Sequence, residues 1–168
     1  FTLLTSLKNH TPQLTALVNM VDDGGSTGIL RDELGVLPPG DVRQCLVALS
    51  NTQVLRDLFR YRFEEGTFSG HAFGNLFMAA LEKVTGSFHD AVKEASKMLN
   101  ITGAVEPTAL NAITLCARKP DGKVIKGQNA IDMSDFDSRK PDIWLEPMPK
   151  ANPKAIAAIN DADIIVVA

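Results

Sequence analysis

Apolar side chains recur every three to four residues over much of the chain, which is the period of an α-helix with one buried face. The first nine residues show the pattern clearly, with Phe1, Leu3, Leu4 and Leu7 on or near one face. Such helices must bury that face against another element. The helices predicted in this way cover residues 1–9, 42–49, 53–63, 71–84, 88–99 and 152–159.

Short apolar runs between these helices predict strands. Leu14–Val21 is rich in strand-forming residues, and the mostly apolar run Ala162–Ala168 is typical of a strand buried on both faces of a parallel sheet. Strands at Ala112–Ala117 and Lys123–Gly127 flank the turn sequence Lys119-Pro120-Asp121-Gly122, which indicates a hairpin. The alternation of strand, helices, hairpin, helix and strand predicts an α/β domain with a doubly wound sheet.

Two further segments complete this interpretation. Ile143–Leu145 predicts another short strand, and the polar stretch Asp132–Lys140 predicts a surface loop. The chain has 168 residues, which fits one domain over residues 1–168. It begins inside a predicted helix and ends inside a predicted strand, so we expect a piece of a longer protein that is truncated at both ends.

Composition and charge narrow the function classes. The net charge is −3 and no arginine cluster stands out, which disfavours a nucleic-acid partner. No stretch approaches the length of a membrane span and no signal peptide is evident, so we expect no membrane insertion and a cytoplasmic location. Cys45 and Cys116 each stand alone in an apolar run, which favours buried free thiols in a reducing compartment.

The strongest candidate for chemistry is the glycine-rich segment that follows the first predicted strand. Ligands of open α/β sheets bind beyond the carboxyl ends of the strands, and glycines there let backbone N–H groups approach an anion. Hydroxyls in the segment add donors, and an arginine three residues later can contact a phosphate through two N–H groups. The residues expected to bind the ligand are Gly24, Gly25, Ser26, Thr27, Gly28 and Arg31.

Asp22 and Asp23 precede these glycines and carry the wrong charge for direct contact with phosphate. Either they hold a divalent cation such as magnesium, or they accept hydrogen bonds from ribose hydroxyls or base N–H groups. Neighbouring residues of an extended segment point to opposite sides, so we expect only one of the two to face the ligand. The alternative is a tight turn with solvated carboxylates.

Two other segments are candidates for the same cleft. Gly40 and Asp41 open a predicted helix, with Asp41 as a plausible N-cap and Arg43 close by. His71 and Asn75 lie four residues apart, which would place them on one face of a helix start. Phe73 and Gly74 lie between them, and a glycine inside an apolar helix suggests a close approach of backbone or ligand. No P-loop occurs and no Ser-His-Asp nucleophile machinery is evident, so the catalytic residues stay unknown.

Three segments together resemble the YvcK-type gluconeogenesis factors of the CofD-like superfamily. They are DDGGSTGILRDELGVLPPGDVRQCLVALS (22–50), LRDLFRYRF (55–63) and GHAFGNLFMAAL (70–81), and the likeness extends over nearly the whole chain. The combination of DDGG, PPGD-x-R and GH-x-FGN is specific, although Ala72 stands where a serine is common.

The resemblance implies a Rossmann-like three-layer domain with a mainly parallel sheet and an inserted β-hairpin. It implies a GGGTG phosphate loop just before Phe1 and a GPGS-type loop after Ala168. YvcK-type members resemble UDP-sugar binders, with UDP-N-acetylglucosamine as the expected ligand, that act in carbon-source-dependent control of cell shape and cell-wall synthesis. The CofD relatives are magnesium-using 2-phospholactate transferases with a deazaflavin acceptor. A homo-oligomer is also expected.

The same likeness implies which residues form the site. The nucleotide cleft is lined by the loop 24–28, Gly40, Asp41, Arg43 and residues 71–75, and Asp22 or Asp23 lies near a metal.

Overall fold

The computed structural model describes residues 1–136 and 141–167. Helices and strands alternate as the hydrophobic pattern predicts, so the α/β class is confirmed, and the parallel sheet and inserted hairpin are described below. The helices are α1 (Thr2–Leu7), α2 (Gly25–Leu34), α3 (Gly40–Leu49), α4 (Gln53–Arg60), α5 (Phe73–Thr85), α6 (Phe88–Met98), α7 (Gln128–Asp132) and α8 (Pro153–Asn160). The strands are β1 (Thr15–Val18), β2 (Ala104–Pro107), β3 (Thr114–Arg118), β4 (Val124–Lys126) and β5 (Asp142–Glu146).

A parallel pair of strands, β1 and β2, lies at the centre of the domain. Thr15 is opposite Ala104 and Val18 is opposite Pro107 in the register of this pair. The helices α3, α6 and α8 pack on it, so the inward side chains of β1 meet apolar helix faces. The resulting core contains the almost fully buried residues Met20, Val42, Leu46, Leu49, Met78 and Leu99.

The inserted hairpin is confirmed, and a third strand joins it. β3 pairs antiparallel with both β4 and β5, so the sheet has the order β4-β3-β5. The turn between β3 and β4 closes when Lys119 N–H donates to the Lys123 carbonyl at 2.8 Å. The short helix α7 follows β4 and contacts both β3 and β4.

The structure differs from the predicted helices and strands at several places, of which three bear on the site or on the sheet. The segment from Gly25 to Gly28 is the first turn of α2 rather than a loop, because Gly28 N–H donates to the Gly24 carbonyl at 3.1 Å. The strand β2 was missed, since Gly103 and Pro107 hide its pattern and its pairing with β1 comes from far along the chain. The third concerns the last predicted strand.

Residues 162–167 form no strand and are exposed, with Val167 at 96%. A strand requires a partner for its backbone N–H and C=O groups, and no other described segment pairs with this one. Residue 168 lies outside the described residues, as do residues 137–140 of the polar loop predicted over 132–140.

Two further observations bear on the environment of the chain. No helix within the described ranges is long and apolar enough to cross a membrane. Cys45 and Cys116 are both free and buried. Burial raises the pKa of the Cys45 thiol to about 11, so this cysteine stays protonated and poorly reactive near neutral pH.

Glu82→Gln is expected to stabilise the protein at neutral pH. Glu82 lies in the last turn of α5, where a negative charge opposes the helix dipole, and burial raises the pKa of its carboxyl. Because the folded-state pKa of Glu82 is raised, protonation of this carboxyl stabilises the folded protein below the unfolded-state pKa. This stabilisation is lost as pH rises through the folded-state pKa. We expect a gain of about 0.3–1 kcal/mol at pH 7.

The measurement is urea unfolding of both proteins at pH 7 and pH 4. The difference in unfolding free energy between the two proteins should shrink at pH 4. At that pH the wild-type Glu82 carboxyl is protonated and therefore uncharged, like the glutamine amide. Glu94→Gln is the matched control, since Glu94 lies on an exposed helix face beside Lys97 and should show no such gain. An equal effect of Glu82→Gln at both pH values would contradict the assignment.

Candidate functional site

The start of α2 lies just beyond the carboxyl end of β1. Val18 ends the strand, and a short buried connection leads to Gly24, the N-cap residue of the helix. Gly25 adopts a positive φ of 46°, which favours glycine. Gly24 N–H donates to Asp22 Oδ1 at 3.1 Å, which fixes the entry to the helix. The first N–H groups of α2 have no partner in the helix and form a place where an anion can bind.

Two glycines allow unusually close packing at this point. A Cβ atom on Gly28 would overlap the Asp23 carbonyl group. A Cβ on Gly40 would overlap the Thr27 hydroxyl and would lie 2.7 Å from Asp22 Oδ2. The start of α3 therefore sits directly against the start of α2, and the DDGG and PPGD segments form one surface.

A chain of hydrogen bonds joins this surface to the GH-x-FGN segment. His71 Nδ1 lies 3.0 Å from Ser26 Oγ, and Asn75 Nδ2 donates to the same oxygen at 3.2 Å. Asn75 Oδ1 accepts from Arg43 Nε at 2.7 Å, and Arg43 Nη1 donates to the Phe59 carbonyl at 3.2 Å. Four residues predicted from three separate segments thus form one continuous network.

His71 reaches this network by a different route from the one predicted. It lies before α5, whose N-cap is Ala72, so His71 and Asn75 do not share a helix face. The segment is instead held by a short antiparallel contact, in which Phe73 N–H donates to the Tyr61 carbonyl at 2.8 Å and Phe63 N–H donates to the His71 carbonyl at 3.0 Å. The two side chains meet because both reach Ser26.

Asp41 does not cap α3. The N-cap is Pro39, and Asp41 lies in the first turn, where its carboxylate accepts from Gln44 Nε2 at 3.3 Å. Burial raises the pKa of the Asp41 carboxyl, the nearby charge of Asp22 raises it further, and Arg43 opposes the shift. Asp41 is therefore the neighbour on which the negative charge of Asp22 acts.

Arg43 is a buried cation with an exposed fraction of 9%. Burial lowers its pKa, as do the charges of Arg62 and Arg60, while Asp41 raises it. No carboxylate of the described residues lies within ion-pair distance of its guanidinium. A buried charge that has hydrogen bonds but no counter-ion creates a positive field at the edge of the cleft.

Asp23 turns away from Asp22 and anchors the inserted sheet. Its Oδ1 accepts from Asn129 N–H of α7 at 2.8 Å, and its Oδ2 lies 3.9 Å from Arg31 Nη2. Arg31 Nε also lies 3.5 Å from Asp32 Oδ1. The structure thus places Asp23 between α7 and Arg31, and the predicted contact of Arg31 with a phosphate stays a prediction.

Phe73 and Gly74 lie next to the network in a tightly packed region. Phe73 belongs to an aromatic cluster, with its ring centroid 6.3 Å from that of Phe59 and 6.0 Å from that of Phe77. A Cβ on Gly74 would lie 2.6 Å from Arg43 Cδ and 2.7 Å from the Phe59 carbonyl oxygen. The close approach that explains Gly74 is therefore that of the Arg43 side chain.

No group of three or more His, Cys, Asp or Glu side chains within residues 1–136 and 141–167 is arranged to hold a metal ion. Magnesium often needs only one or two protein carboxylates because it keeps several waters and phosphate ligands. Of the two carboxylates predicted to lie near a metal, that of Asp23 is engaged by Asn129 and Arg31, whereas that of Asp22 accepts from Gly24 N–H.

Two residues of the site were missed by the sequence analysis. Phe59 contributes only a backbone carbonyl, which no sequence pattern marks. Asn129 lies 106 residues from Asp23 along the chain, in a helix of five residues. The only local signal near it is Gly127, whose φ is 98° and whose Cα faces the Asp23 carboxylate.

Comparisons with known proteins show the family to which the chain belongs. The family model described as 2-phospho-L-lactate transferase CofD matches residues 1–168. The gluconeogenesis factor of Bacillus subtilis is 42% identical over 168 residues, covering 98% of this chain and 52% of the relative. A relative from Aquifex aeolicus is 46% identical over 158 residues, covering 92% of this chain and 48% of the relative. The chain thus spans about half the length of the curated relatives it matches.

Solved structures show the same fold. Two crystal structures of a Bacillus halodurans protein superpose with TM-scores of 0.87 and 0.89, at 39% and 41% identity. Each match covers 96% of this chain and 53% or 52% of the other.

Proposed function

The chain belongs to the CofD family, among the YvcK-type gluconeogenesis factors, and from this premise we propose that it binds a nucleotide sugar of the UDP-N-acetylglucosamine type as a regulatory protein. The observation that carries the proposal is the continuous network from His71 through Ser26 and Asn75 to Arg43. It holds three separate segments at the start of α2, where free N–H groups suit a diphosphate.

Each part of the cleft has a role in this proposal. The first turn of α2 supplies backbone donors to phosphate oxygens, and the close packing at Gly28 and Gly40 fixes the position of this turn. The buried charge of Arg43, which forms no ion pair among the described residues, attracts an anion without contacting it directly. Asp22 accepts hydrogen bonds from ligand hydroxyl or N–H groups on the opposite side of the loop.

The regulatory part of the proposal rests on the relatives. Proteins of Bacillus subtilis and Listeria monocytogenes that match nearly the whole chain are named gluconeogenesis factors. We therefore infer that ligand binding links gluconeogenic growth to cell shape and cell-wall synthesis, and that the ligand is sensed rather than consumed. The protein then acts in the cytoplasm, consistent with two free thiols, and as a homo-oligomer without a nucleic-acid partner.

A second candidate is a 2-phospho-L-lactate transferase that acts on a deazaflavin acceptor, because the matching family model carries that description. Magnesium would supply charge neutralisation at the transferred phosphate, and the carboxylates available to hold it are those of Asp22 and Asp41. In this case Asp22→Asn should weaken ligand binding with magnesium present and should have no effect after chelation.

Calorimetric titration of the full-length protein distinguishes the two candidates. We expect UDP-N-acetylglucosamine and UDP-glucose to bind with dissociation constants of about 1–100 μM, with or without magnesium, since the main contacts come from backbone N–H groups and fixed side chains. The sugar nucleotide should be recovered unchanged after incubation. Preferential binding of guanosine diphosphate that depends on magnesium would favour the transferase instead.

A further inference from the structure

The chemistry of the side chains around Ser26 determines which atom donates and which accepts in each hydrogen bond of the network. A guanidinium group only donates hydrogen bonds, so the Asn75 atom that faces Arg43 Nε at 2.7 Å must be the carbonyl oxygen Oδ1. The amide nitrogen Nδ2 of Asn75 therefore points to Ser26 and donates to Oγ at 3.2 Å. Arg43 in this way fixes the orientation of Asn75.

The direction continues from Ser26 to His71. Ser26 is buried, and among the described residues His71 Nδ1 is the one acceptor within hydrogen-bond distance of its hydroxyl. A buried hydroxyl proton without an acceptor costs about 1–3 kcal/mol, so Ser26 Oγ–H donates to Nδ1. A neutral imidazole whose Nδ1 accepts carries its proton on Nε2.

We propose that His71 holds its Nε2–H as a fixed donor to a diphosphate oxygen of the bound ligand, and that Arg43, Asn75 and Ser26 are the positioning residues that keep it in this tautomer. The proposal rests on the proposed function, because it takes the ligand to lie at the start of α2. Nε2 lies on the side of the ring away from Ser26, and the ring is only half-buried. No described residue bonds to this nitrogen.

The ligand class follows from the donor. A fixed N–H close to the first turn of α2 adds to the free backbone donors there, and all of them require an oxygen acceptor. An ammonium group offers none and would be repelled by Arg43. A phosphate offers several charged acceptor oxygens at once, so the arrangement favours a phosphorylated ligand over an unphosphorylated nucleoside or sugar.

The binding test compares two amide replacements of His71. A glutamine amide nitrogen reaches approximately the position of Nε2, whereas an asparagine amide reaches only that of Nδ1. With UDP-N-acetylglucosamine as the probe, His71→Asn should lose about 10- to 100-fold in affinity, and His71→Gln should stay within about 5-fold of wild type. Uridine, which lacks phosphate, should bind both variants equally. Equal losses in the two variants, or no loss in either, would overturn the proposal.

The second measurement reads the tautomer itself and needs no ligand. Two-bond ¹H–¹⁵N correlation spectra are recorded on the full-length protein with ¹⁵N-labelled histidine at pH 7.5, and the His71 signal is identified by its loss in His71→Gln. This signal should show the Nε2–H tautomer. Asn75→Ala should shift this signal towards the Nδ1–H form, because Ser26 then loses its fixed donor. A wild-type Nδ1–H form or a doubly protonated ring would overturn the positioning role. If the wild-type protein does not bind UDP-sugars, the proposed ligand contact of His71 and the proposed function are both wrong. The tautomer measurement is unaffected by that result, because it needs no ligand.

Discussion

Arg43→Ala is expected to reduce UDP-sugar binding at least about 30-fold and to destabilise the protein by about 2–4 kcal/mol. The truncation removes the donors that the Asn75 side chain and the Phe59 carbonyl use, and both acceptors are in a buried region. It also empties the space against Gly74 that the Arg43 side chain fills. Relief of an uncompensated buried charge offsets part of this loss.

Two control variants separate the charge from the geometry. Arg43→Lys keeps the charge but cannot donate to both acceptors at once, so it should restore little of the lost affinity. Arg60→Ala removes an exposed neighbouring charge and should change affinity by less than about 3-fold. Calorimetry and urea unfolding of the three variants are the measurements. Wild-type affinity in Arg43→Ala would show that this residue serves only the fold.

Gly28→Ala should have an effect of similar size through backbone geometry alone. The added Cβ overlaps the Asp23 carbonyl group, which cannot move without displacing the segment that ends in Gly24. Overpacking of this kind costs about 1–3 kcal/mol and occasionally more. Because the displaced segment leads directly into the first turn of α2, whose N–H groups are proposed to bind the diphosphate, we expect affinity for UDP-N-acetylglucosamine to fall more than about 30-fold.

The matched control for this variant lies in the same segment. A Cβ on Gly24 would lie 3.6 Å from Asp22 Oδ1, which is ordinary contact, and the φ of Gly24 is −85°. Gly24→Ala should therefore cost about 1 kcal/mol or less, as expected for a changed N-cap, and should retain most of the affinity. If both variants bind equally well, steric displacement of the loop is not what determines binding.

The sequence predicted most of the helices because each has its own apolar face. The helices α3 to α6 begin or end within three residues of the predicted bounds. The strand β2 and the run 162–167 depended on pairing with another segment, and local pattern carries no information about which segment that is. Helix α2 was missed because its opening glycines are typical of a loop, and only the close approach of Asp23 explains Gly28.

In the candidate site, too, the local features could be predicted from the sequence, whereas the contacts between distant segments could not. The DDGG, PPGD-x-R and GH-x-FGN segments could be singled out, since each combines glycine with charged or polar residues beside a helix start. Which atoms meet could not be predicted, because Asp23 turns to Asn129 and Arg43 turns to Phe59 through contacts that depend on the whole fold. The influence of the Asp22 charge on Asp41 likewise arises because the starts of α2 and α3 lie against each other in the fold.

The most direct test of the central claim is a crystal structure of the full-length protein with UDP-N-acetylglucosamine. We predict that the diphosphate lies against the N–H groups of Gly25 to Thr27, with one phosphate oxygen within hydrogen-bond distance of His71 Nε2. The network from Ser26 to Arg43 should stay unchanged in that complex. A nucleotide bound elsewhere, with the start of α2 left open to solvent, would contradict the account.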